Sequence, residues 1–439
     1  MAAPRRVTTG TVATVLALAV TGCSATGERE EDDARQGSAE HGAVSGPVRL
    51  IGDGSTAFTG RQPNQPLPKR LEAGHRPPQF VVFSWDGAGE DGQKLFSHFR
   101  RIGREYDAKM TYFLSGVYVL PHARREVYKP PRHAPGSSDI GFNDIAGIKA
   151  TLEQLRGAWQ EGNEIGTHFN GHFCGPNGGV GTWTTDEWRH EIRQAEALVK
   201  SWKTHAGLDG APPLPFDYDR ELVGGRAPCL EGQRSLLPAA KAEGFRYDAS
   251  SPGGLQVWPS KKGGLWDFPL QQIPMPGRGF ETLSMDYNFL ANQSGTVRGD
   301  PAQHALWSRQ MRDGLLQGFR RAHEGNRAPF FIGNHFESWN GGAYMRAVEE
   351  AIKEICPKKD VHCVTFKQLA DWLDVQDPGV LAKLRTLGVG ERPEGGWKAF
   401  LSGGPPAGPA GSSEPRRPAE PAGPARPAGG PARIRQAAD

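Results

Sequence analysis

Short apolar runs alternate with longer amphipathic stretches through most of the middle of this 439-residue chain. Three of the runs have the composition of buried strands: Phe80–Phe83, Met110–Leu114 and Pro329–Gly333. Other stretches show helical spacing of their apolar residues, at 92–106, 145–159, 188–202, 302–323, 344–355 and 366–373. This alternation predicts an α/β protein built on a parallel sheet or barrel, and in barrels the chemistry lies where the strands end.

The balance of charges excludes one large class of function. Lys plus Arg number 52 and Asp plus Glu number 49, so the formal net charge is only +3. Proteins whose main task is to bind nucleic acid carry a clear excess of basic residues. We therefore expect no nucleic-acid partner. A coiled coil and a collagen helix are excluded as well, because the sequence has neither a heptad nor a Gly-X-Y period.

The first 23 residues have the pattern of an export signal. Two arginines precede the apolar run Val12–Val20, which is too short to span a bilayer as a mature helix. The run leads into Val20-Thr21-Gly22-Cys23, which resembles a bacterial lipobox. We expect residues 1–22 to be a lipoprotein signal peptide and Cys23 to be lipidated. The protein would then be exported and anchored to the outer face of the bacterial cell membrane. The alternative is an ordinary secretion signal with an incidental cysteine.

Composition also divides the rest of the chain. The segment after Cys23 is acidic and then Pro-rich, and the C-terminal segment is rich in Pro, Ala and Gly. Neither segment carries enough large apolar side chains to bury a core. The predicted organisation is a signal peptide at 1–22, a tether at 23–77, a single catalytic domain at 78–376, a C-terminal extension at 377–402 and a disordered tail at 403–439.

Titratable side chains cluster at the predicted strand ends. Asp86 directly follows the first strand, and His168 and His172 follow another strand end at Glu164–Gly166. Two histidines at positions i and i+4 can face one metal ion, and one carboxylate would complete a facial triad with open positions. His335 ends a third strand, within Asn334-His335. These residues predict a metal site at one edge of the sheet.

The order and spacing of these motifs resemble the polysaccharide deacetylases of carbohydrate esterase family 4, whose domain is the NodB-homology domain. Five motifs occur in the family's order, and the similarity covers most of residues 78–376. Besides the residues above, it includes Gly224-Gly225-Arg226-Ala227-Pro228, Gly244–Asp248 and Val364–Leu373. The resemblance implies a distorted (β/α) barrel with one catalytic domain.

The resemblance also implies a role for each matching residue. Asp86, His168 and His172 would hold a divalent metal ion of the Zn²⁺ type. Arg226 would line the groove and steady the catalytic base, and His335 would be the general acid. Cys229 stands where the family usually has an aromatic residue.

One position departs from the family pattern. The family has an Asp pair after the first strand, and the first Asp, the usual catalytic base, is replaced here by Trp85. Three explanations remain open. The metal alone could activate water, another carboxylate could reach in (Asp248, Asp286 or Glu337), or the site could bind metal and glycan without turnover.

Four cysteines remain besides Cys23, and they allow three pairings. Cys356 and Cys363 flank a short turn, so a disulfide between them would close only a short loop. Cys174 would then pair with Cys229. That second bond would tie the histidine loop to the arginine loop. Free thiols are the alternative, disfavoured in an oxidising compartment. A cysteine-based zinc site is another, although no CxxC motif supports it.

The resemblance implies that the function is metal-dependent hydrolysis of N-acetyl groups on a polysaccharide of the peptidoglycan or chitin type. Aromatic residues near the motifs, among them Trp85, Phe169 and Trp339, could stack on sugar rings or could be ordinary core residues. Two alternatives remain open. One is a catalytically weak or inactive surface lipoprotein that binds glycan or metal, and the other is a metal amidohydrolase acting on a non-sugar amide.

Overall fold

The secondary structure follows the alternation of strands and helices that the sequence predicts. The structure is a computed structural model and describes residues 48–402. Its strands are β1 Arg49–Ile51, β2 Thr56–Phe58, β3 Gln79–Asp86, β4 Met110–Leu114, β5 Glu164–Thr167, β6 Gly224–Gly225, β7 Tyr247–Asp248, β8 Lys261–Lys262, β9 Leu265–Asp267, β10 Gln272–Pro274, β11 Glu281–Leu283, β12 Phe330–His335 and β13 Val361–Cys363. Its α-helices are α1 Leu95–Glu105, α2 Ile145–Gln160, α3 Thr185–Lys200, α4 Trp202–Ala206, α5 Tyr218–Glu221, α6 Gln233–Ala242, α7 Asp286–Gln293, α8 His304–Glu324, α9 Trp339–Ile355, α10 Phe366–Val375, α11 Pro378–Leu384 and α12 Gly396–Ser402.

One sheet organises these elements. Its strand order is β12-β3-β4-β5-β6-β7-β9-β8, with parallel pairing from β12 through β9 and antiparallel pairing between β9 and β8. Irregular links join the segment after β9 to β12: Ser284 N donates to Gln271 O, and Gly333 N donates to Ser284 O, both at 2.9 Å. The sheet is therefore curled toward closure, and the prediction of a distorted (β/α) barrel is confirmed.

Side chains of β3 alternate between two cores. Phe80 and Val82 pack in a core that also contains Phe366 of α10, whereas the odd-numbered side chains up to Trp85 pack in the larger core shared with the surrounding helices. Every residue of β3 is buried, as expected for a parallel strand covered on both faces. Because successive residues of a strand point to opposite faces, Asp86 lies on the face of Phe80 and Val82, opposite Trp85.

Residues 48–77 are not a free tether. In this part of the predicted tether β1 and β2 form a hairpin, and the Trp202 indole donates to Ser55 O at 2.8 Å. The Gln62 amide donates to Trp159 O at 3.1 Å. Polar and backbone groups make these contacts, so the low hydropathy of the segment did not indicate them. The C-terminal extension also packs on the domain, since Leu381, Leu384 and Leu401 are buried.

Several predictions from the sequence fall outside the described residues. The signal peptide at 1–22, the lipidation of Cys23, the tether before residue 48 and the tail at 403–439 stay predictions. Between residues 48 and 402, none of the helices is both long enough and apolar enough to cross a bilayer.

Candidate active site

The predicted site residues lie at the carboxyl ends of neighbouring parallel strands. His335 at the end of β12 is in register with Asp86 at the end of β3. His168 directly follows β5, and Arg226 directly follows β6. Since β12, β3, β4, β5 and β6 are consecutive in the sheet, its topology brings these four residues to one edge.

Arg226 binds Asp86 at the centre of this edge. Its Nη1 donates to Asp86 Oδ1 at 2.9 Å and to Ser84 Oγ at 2.8 Å, and its Nε donates to Ala249 O at 3.0 Å. Burial by itself would raise the pKa of Asp86, but Arg226, followed by His168 and His335, holds that pKa below its usual value. Asp86 is therefore ionised at neutral pH. The arginine that was expected to steady a separate base is bound to Asp86 itself.

His168 has one ring nitrogen free for a ligand. Its Nδ1 lies 2.7 Å from Arg226 O, and because a carbonyl oxygen only accepts, Nδ1 carries the proton. Nε2 is then an unprotonated acceptor, and it is buried with no hydrogen-bond partner among the described residues. Burial lowers the pKa of His168, which keeps the ring neutral. A neutral imidazole with Nδ1–H on a carbonyl and a free Nε2 is the usual state of a metal-ligating histidine.

His172 completes a donor set that suits a divalent cation. Its ring lies 5.0 Å from the His168 ring, between centroids. Burial, and then the nearby His168 and His335, lower the pKa of His172 to about 3. Two neutral imidazoles and the carboxylate of Asp86 are ligands that Zn²⁺ accepts. The three are not drawn tightly together, because Asp86, His168 and His172 do not form a group with all ligand atoms within 4.8 Å of one another.

The loop that carries both histidines is held by a buried polar network. Gly171 N donates to Tyr128 Oη at 3.1 Å, and Tyr128 Oη donates to Glu191 Oε1 at 2.9 Å. Asn170 Nδ2 donates to Glu191 O at 3.1 Å. A Cβ at Gly171 would lie 2.8 Å from the Tyr128 hydroxyl, so only glycine fits there. Tyr128 and Glu191 were not expected from the sequence, since no spacing relates them to the histidines.

Tyr128→Phe should lower the free energy of unfolding by about 1–3 kcal/mol, because Gly171 N and a Glu191 oxygen would lose their buried partner. Denaturant unfolding at pH 7 measures this. Tyr106→Phe at the end of α1 is a matched control and should stay within about 0.5 kcal/mol of wild type. Equal stability of the two variants would show that the network does not hold the loop.

Both disulfides expected from the sequence are formed in the structure. Cys174 is joined to Cys229, and Cys356 is joined to Cys363. Cys174 lies two residues after His172, and Cys229 lies three residues after Arg226, so the first bond links the two loops that carry these side chains. His172 and Cys229 both have a backbone φ near +58°, in the left-handed region that is costly for residues with a Cβ.

His335 is paired with Asp286, which corrects one expectation. Its Nδ1–H donates to Asp286 Oδ1 at 2.8 Å, and its backbone N–H donates to Asp286 Oδ2 at 2.7 Å. Burial would lower the pKa of His335, but Asp286, through charge and hydrogen bond, with Asp86 and Glu337 raises it to about 9. Asp286 is therefore the partner of the predicted acid and not a free base.

Asp248 is also engaged elsewhere. Its Oδ1 accepts from Ser250 Oγ at 2.6 Å and its Oδ2 from Ser250 N at 3.2 Å. Burial raises the pKa of Asp248 to about 6. Because both carboxylates are bound to other groups, neither Asp248 nor Asp286 replaces the missing catalytic base.

Trp85 is a core residue and not a site residue. Its ring stacks on Phe336 at 4.5 Å and contacts Phe99 at 4.2 Å, and no part of it is exposed. Phe169 is buried as well, against Trp188. Of the two possibilities that the sequence left open, Trp85 and Phe169 are thus ordinary core residues. Half-buried Trp339 lies 5.3 Å from the His335 ring.

Trp85→Asp should destabilise the domain and should not increase turnover. Loss of a buried Trp costs about 3–5 kcal/mol, and burial of a carboxylate adds to this. Because position 85 faces away from Asp86, the new carboxylate would not reach the site. Thermal melting together with acetate release measures both effects. A folded variant that releases acetate faster than wild type would contradict this orientation.

Comparisons with known proteins show that this chain is similar to solved structures in fold alone. No protein-family model matches the chain, and no curated protein matches it. Among solved structures, the chain is similar to a Mycobacterium smegmatis protein assigned as a polysaccharide deacetylase, with 17% identity, a TM-score of 0.39, and coverage of 70% of this chain and 93% of that one. It is also similar to the peptidoglycan deacetylase PdaC from Bacillus subtilis, with 12% identity, a TM-score of 0.34, and coverage of 68% and 92%.

A third similar structure is a family 4 acetyl xylan esterase from Clostridium thermocellum in complex with a cobalt ion. The identity is 15%, the TM-score is 0.34, and the similarity covers 66% of this chain and 90% of that one. At such values the likeness does not indicate which reaction this chain catalyses. The chain thus resembles polysaccharide deacetylases and related esterases in fold, and its chemistry has to be inferred from the residues at the strand ends.

Proposed function

We propose that this chain is a metal-dependent hydrolase that removes N-acetyl groups from a polysaccharide of the peptidoglycan or chitin type. The observation that carries the proposal is His168, whose buried Nε2 has no partner among the described residues and lies on the same sheet edge as Asp86. An unpaired buried acceptor is costly unless something binds it. A divalent cation held by Asp86, His168 and His172 would satisfy it.

Each residue of the edge has a part in this reaction. When bound, a Zn²⁺-type cation supplies a Lewis acid for the acetamide carbonyl and lowers the pKa of water to about 7. His335, with its Nδ1–H held by Asp286, presents Nε2–H as the proton for the leaving amine nitrogen. Arg226 keeps the carboxylate of Asp86 ionised and fixed in place. Trp339, beside His335, is suited to pack on a sugar ring.

Turnover should be slow in this mechanism. Trp85 points away from the site, and Asp286 and Asp248 are committed to His335 and Ser250. A positioned general base contributes roughly 10²–10⁴-fold, and neither Asp248 nor Asp286 supplies that contribution here. The same observation favours the second candidate, a surface protein that binds glycan and metal with little or no hydrolysis.

Acetate release from N-acetylglucosamine oligomers, with and without a chelator, tests the proposal. We expect slow release that stops when the metal is removed and returns when Zn²⁺ or Co²⁺ is added. His168→Ala should lose both the metal and the activity, while His190→Ala, an exposed histidine on α3, should keep both. Metal and glycan binding without acetate release would favour the binding protein. Release from simple amides but not from glycans would favour a non-sugar amidohydrolase.

We further propose export and a lipid anchor at Cys23, supported by the signal pattern and Val20-Thr21-Gly22-Cys23. Wild-type protein expressed in a bacterium should partition with membranes, whereas Cys23→Ser should be released or left unprocessed. Equal amounts of both proteins in the soluble fraction would contradict the anchor.

A further inference from the structure

A second group of metal-ligating atoms lies beside the proposed site. One ligand atom each from His172, Cys174 and Cys229 lies within 4.8 Å of the other two, and within residues 48–402 this is the one group of three or more His, Cys, Asp or Glu residues so closely spaced. His172 Nδ1 is 3.7 Å from Cys174 Sγ. The two sulfurs are joined as a disulfide, with the Cα atoms 6.1 Å apart.

We propose that reduction of this disulfide creates a Cys₂His site for a thiophilic divalent cation, such as Zn²⁺ or Co²⁺. Bond lengths of about 2.3 Å to sulfur and about 2.0 Å to nitrogen give a tetrahedral N···S separation of roughly 3.5 Å and an S···S separation of roughly 3.8 Å. The His172–Cys174 separation of 3.7 Å is already close to this value. The two sulfurs have to move apart, and Cys₂His with an open fourth position is an established zinc ligand set.

The loops that carry the three ligands are anchored independently of the disulfide. Gly171 N is held by Tyr128 Oη at 3.1 Å. On the other side, Arg226 N donates to Thr167 O at 3.0 Å, and Ala227 N donates to a serine hydroxyl at 2.8 Å. The sulfurs therefore stay near each other and near His172 after the bond opens.

Formation of the site requires a reductant, and the disulfide between Cys174 and Cys229 is accessible to one. Cys174 and Cys229 are both exposed, so a water-soluble phosphine can reach the sulfurs. The phosphine takes oxygen from water and becomes a phosphine oxide, while the disulfide gains two electrons and two protons to give two thiols. Each thiol loses its proton when the cation binds. The other disulfide has no such group, since neither Cys356 nor Cys363 belongs to a metal-ligating cluster within the described range.

This site does not depend on the deacetylase reaction, and its test uses Co²⁺ alone. Full-length protein, freed of metal, is reduced with tris(2-carboxyethyl)phosphine without oxygen and titrated with CoCl₂. We expect a thiolate-to-cobalt charge-transfer band that rises with added Co²⁺ to a plateau. The proposed site at Asp86, His168 and His172 shares His172 and has no thiolate, so this band reports the Cys₂His site alone. Oxidised protein should not show the band. Cys356→Ser/Cys363→Ser is the matched control and should keep the band, whereas Cys174→Ser/Cys229→Ser should lose it.

If the cysteine variants do not fold, His172→Gln tests the proposed site instead, because it retains both thiols and removes the histidine ligand. Its reduced form should require more Co²⁺ to reach the same band intensity, with folding checked by thermal melting. A reduced wild type without the band would overturn the proposal. So would a band that persists in folded Cys174→Ser/Cys229→Ser, or a Co²⁺ titration that His172→Gln leaves unchanged.

Discussion

Asp86→Asn should abolish metal binding and acetate release together, and should also weaken the fold. The amide keeps the shape of Asp86 but removes the negative charge that pairs with Arg226 and acts on His168 and His335. Loss of groups that only support a ligand costs about 10–100-fold, so loss of this charge should leave less than about one hundredth of the activity. Arg226 is fully buried, and removal of one partner of a buried pair costs about 3–5 kcal/mol. The amide oxygen can still accept from Arg226, so we expect the lower end.

Ser84→Ala is the matched control for this prediction. It removes the other hydrogen bond of the same Arg226 nitrogen without changing a charge, and should cost about 1 kcal/mol. Metal content and acetate release should be close to those of wild type. Unfolding measured in a chelator separates the effect on the fold from that of the metal. An Asp86→Asn variant that keeps one equivalent of metal and releases acetate would exclude Asp86 from the site.

The regular part of the fold could be predicted because long periodic segments carry their own signals. The stretch at 366–373 is a helix at Phe366–Val375, and it begins at a capping box formed by Thr365 and Gln368. The stretch at 145–159 is a helix at Ile145–Gln160, capped by Asp144. Amphipathic spacing and a capping side chain are local properties, so they can be recognised without the rest of the molecule.

The irregular part could not be predicted for the opposite reason. Strands β6 to β11 have two or three residues each, which is too short for a period of two to be recognised. Their positions are set by neighbours far along the chain, as in the link from Ser284 to β12. Asp286 reaches His335 through this link, so its role was not evident from the sequence.

The site could be predicted at the level of strand ends but not of side-chain directions. Asp86, His168, Arg226 and His335 lie on one edge because parallel strands end together. Trp85 and Asp86 point to opposite faces of β3, as the alternation of side chains along a strand predicts. The resemblance to a motif with two adjacent carboxylates in one site led to the opposite expectation for position 85.

Asp286→Asn should shift the alkaline limit of acetate release to lower pH. Asp286 is the main cause that raises the pKa of His335 to about 9, so in wild type His335 keeps its proton at pH 8. Without that carboxylate the pKa should fall toward the usual histidine value, because burial is then opposed only by the weaker influence of Asp86 and Glu337. A histidine at the usual pKa of about 6.5 is only about 3% protonated at pH 8. Activity at pH 8 should therefore drop by up to about 30-fold, with a much smaller loss near pH 6.

Asp248→Asn is the control, because this buried carboxylate bonds to Ser250 and not to His335. Its alkaline limit should match wild type. A bound cation would lower the pKa of His335 in wild type and variants alike, so the difference between variants is the quantity to compare. The free energy of unfolding should depend on pH as well. Because the pKa of His335 is raised in the folded state, protonated His335 stabilises the fold below about pH 6.5, and this stabilisation is lost as the pH rises through about 9. Asp286→Asn should lose that dependence. An unchanged alkaline limit in Asp286→Asn would exclude His335 as the group that donates the proton.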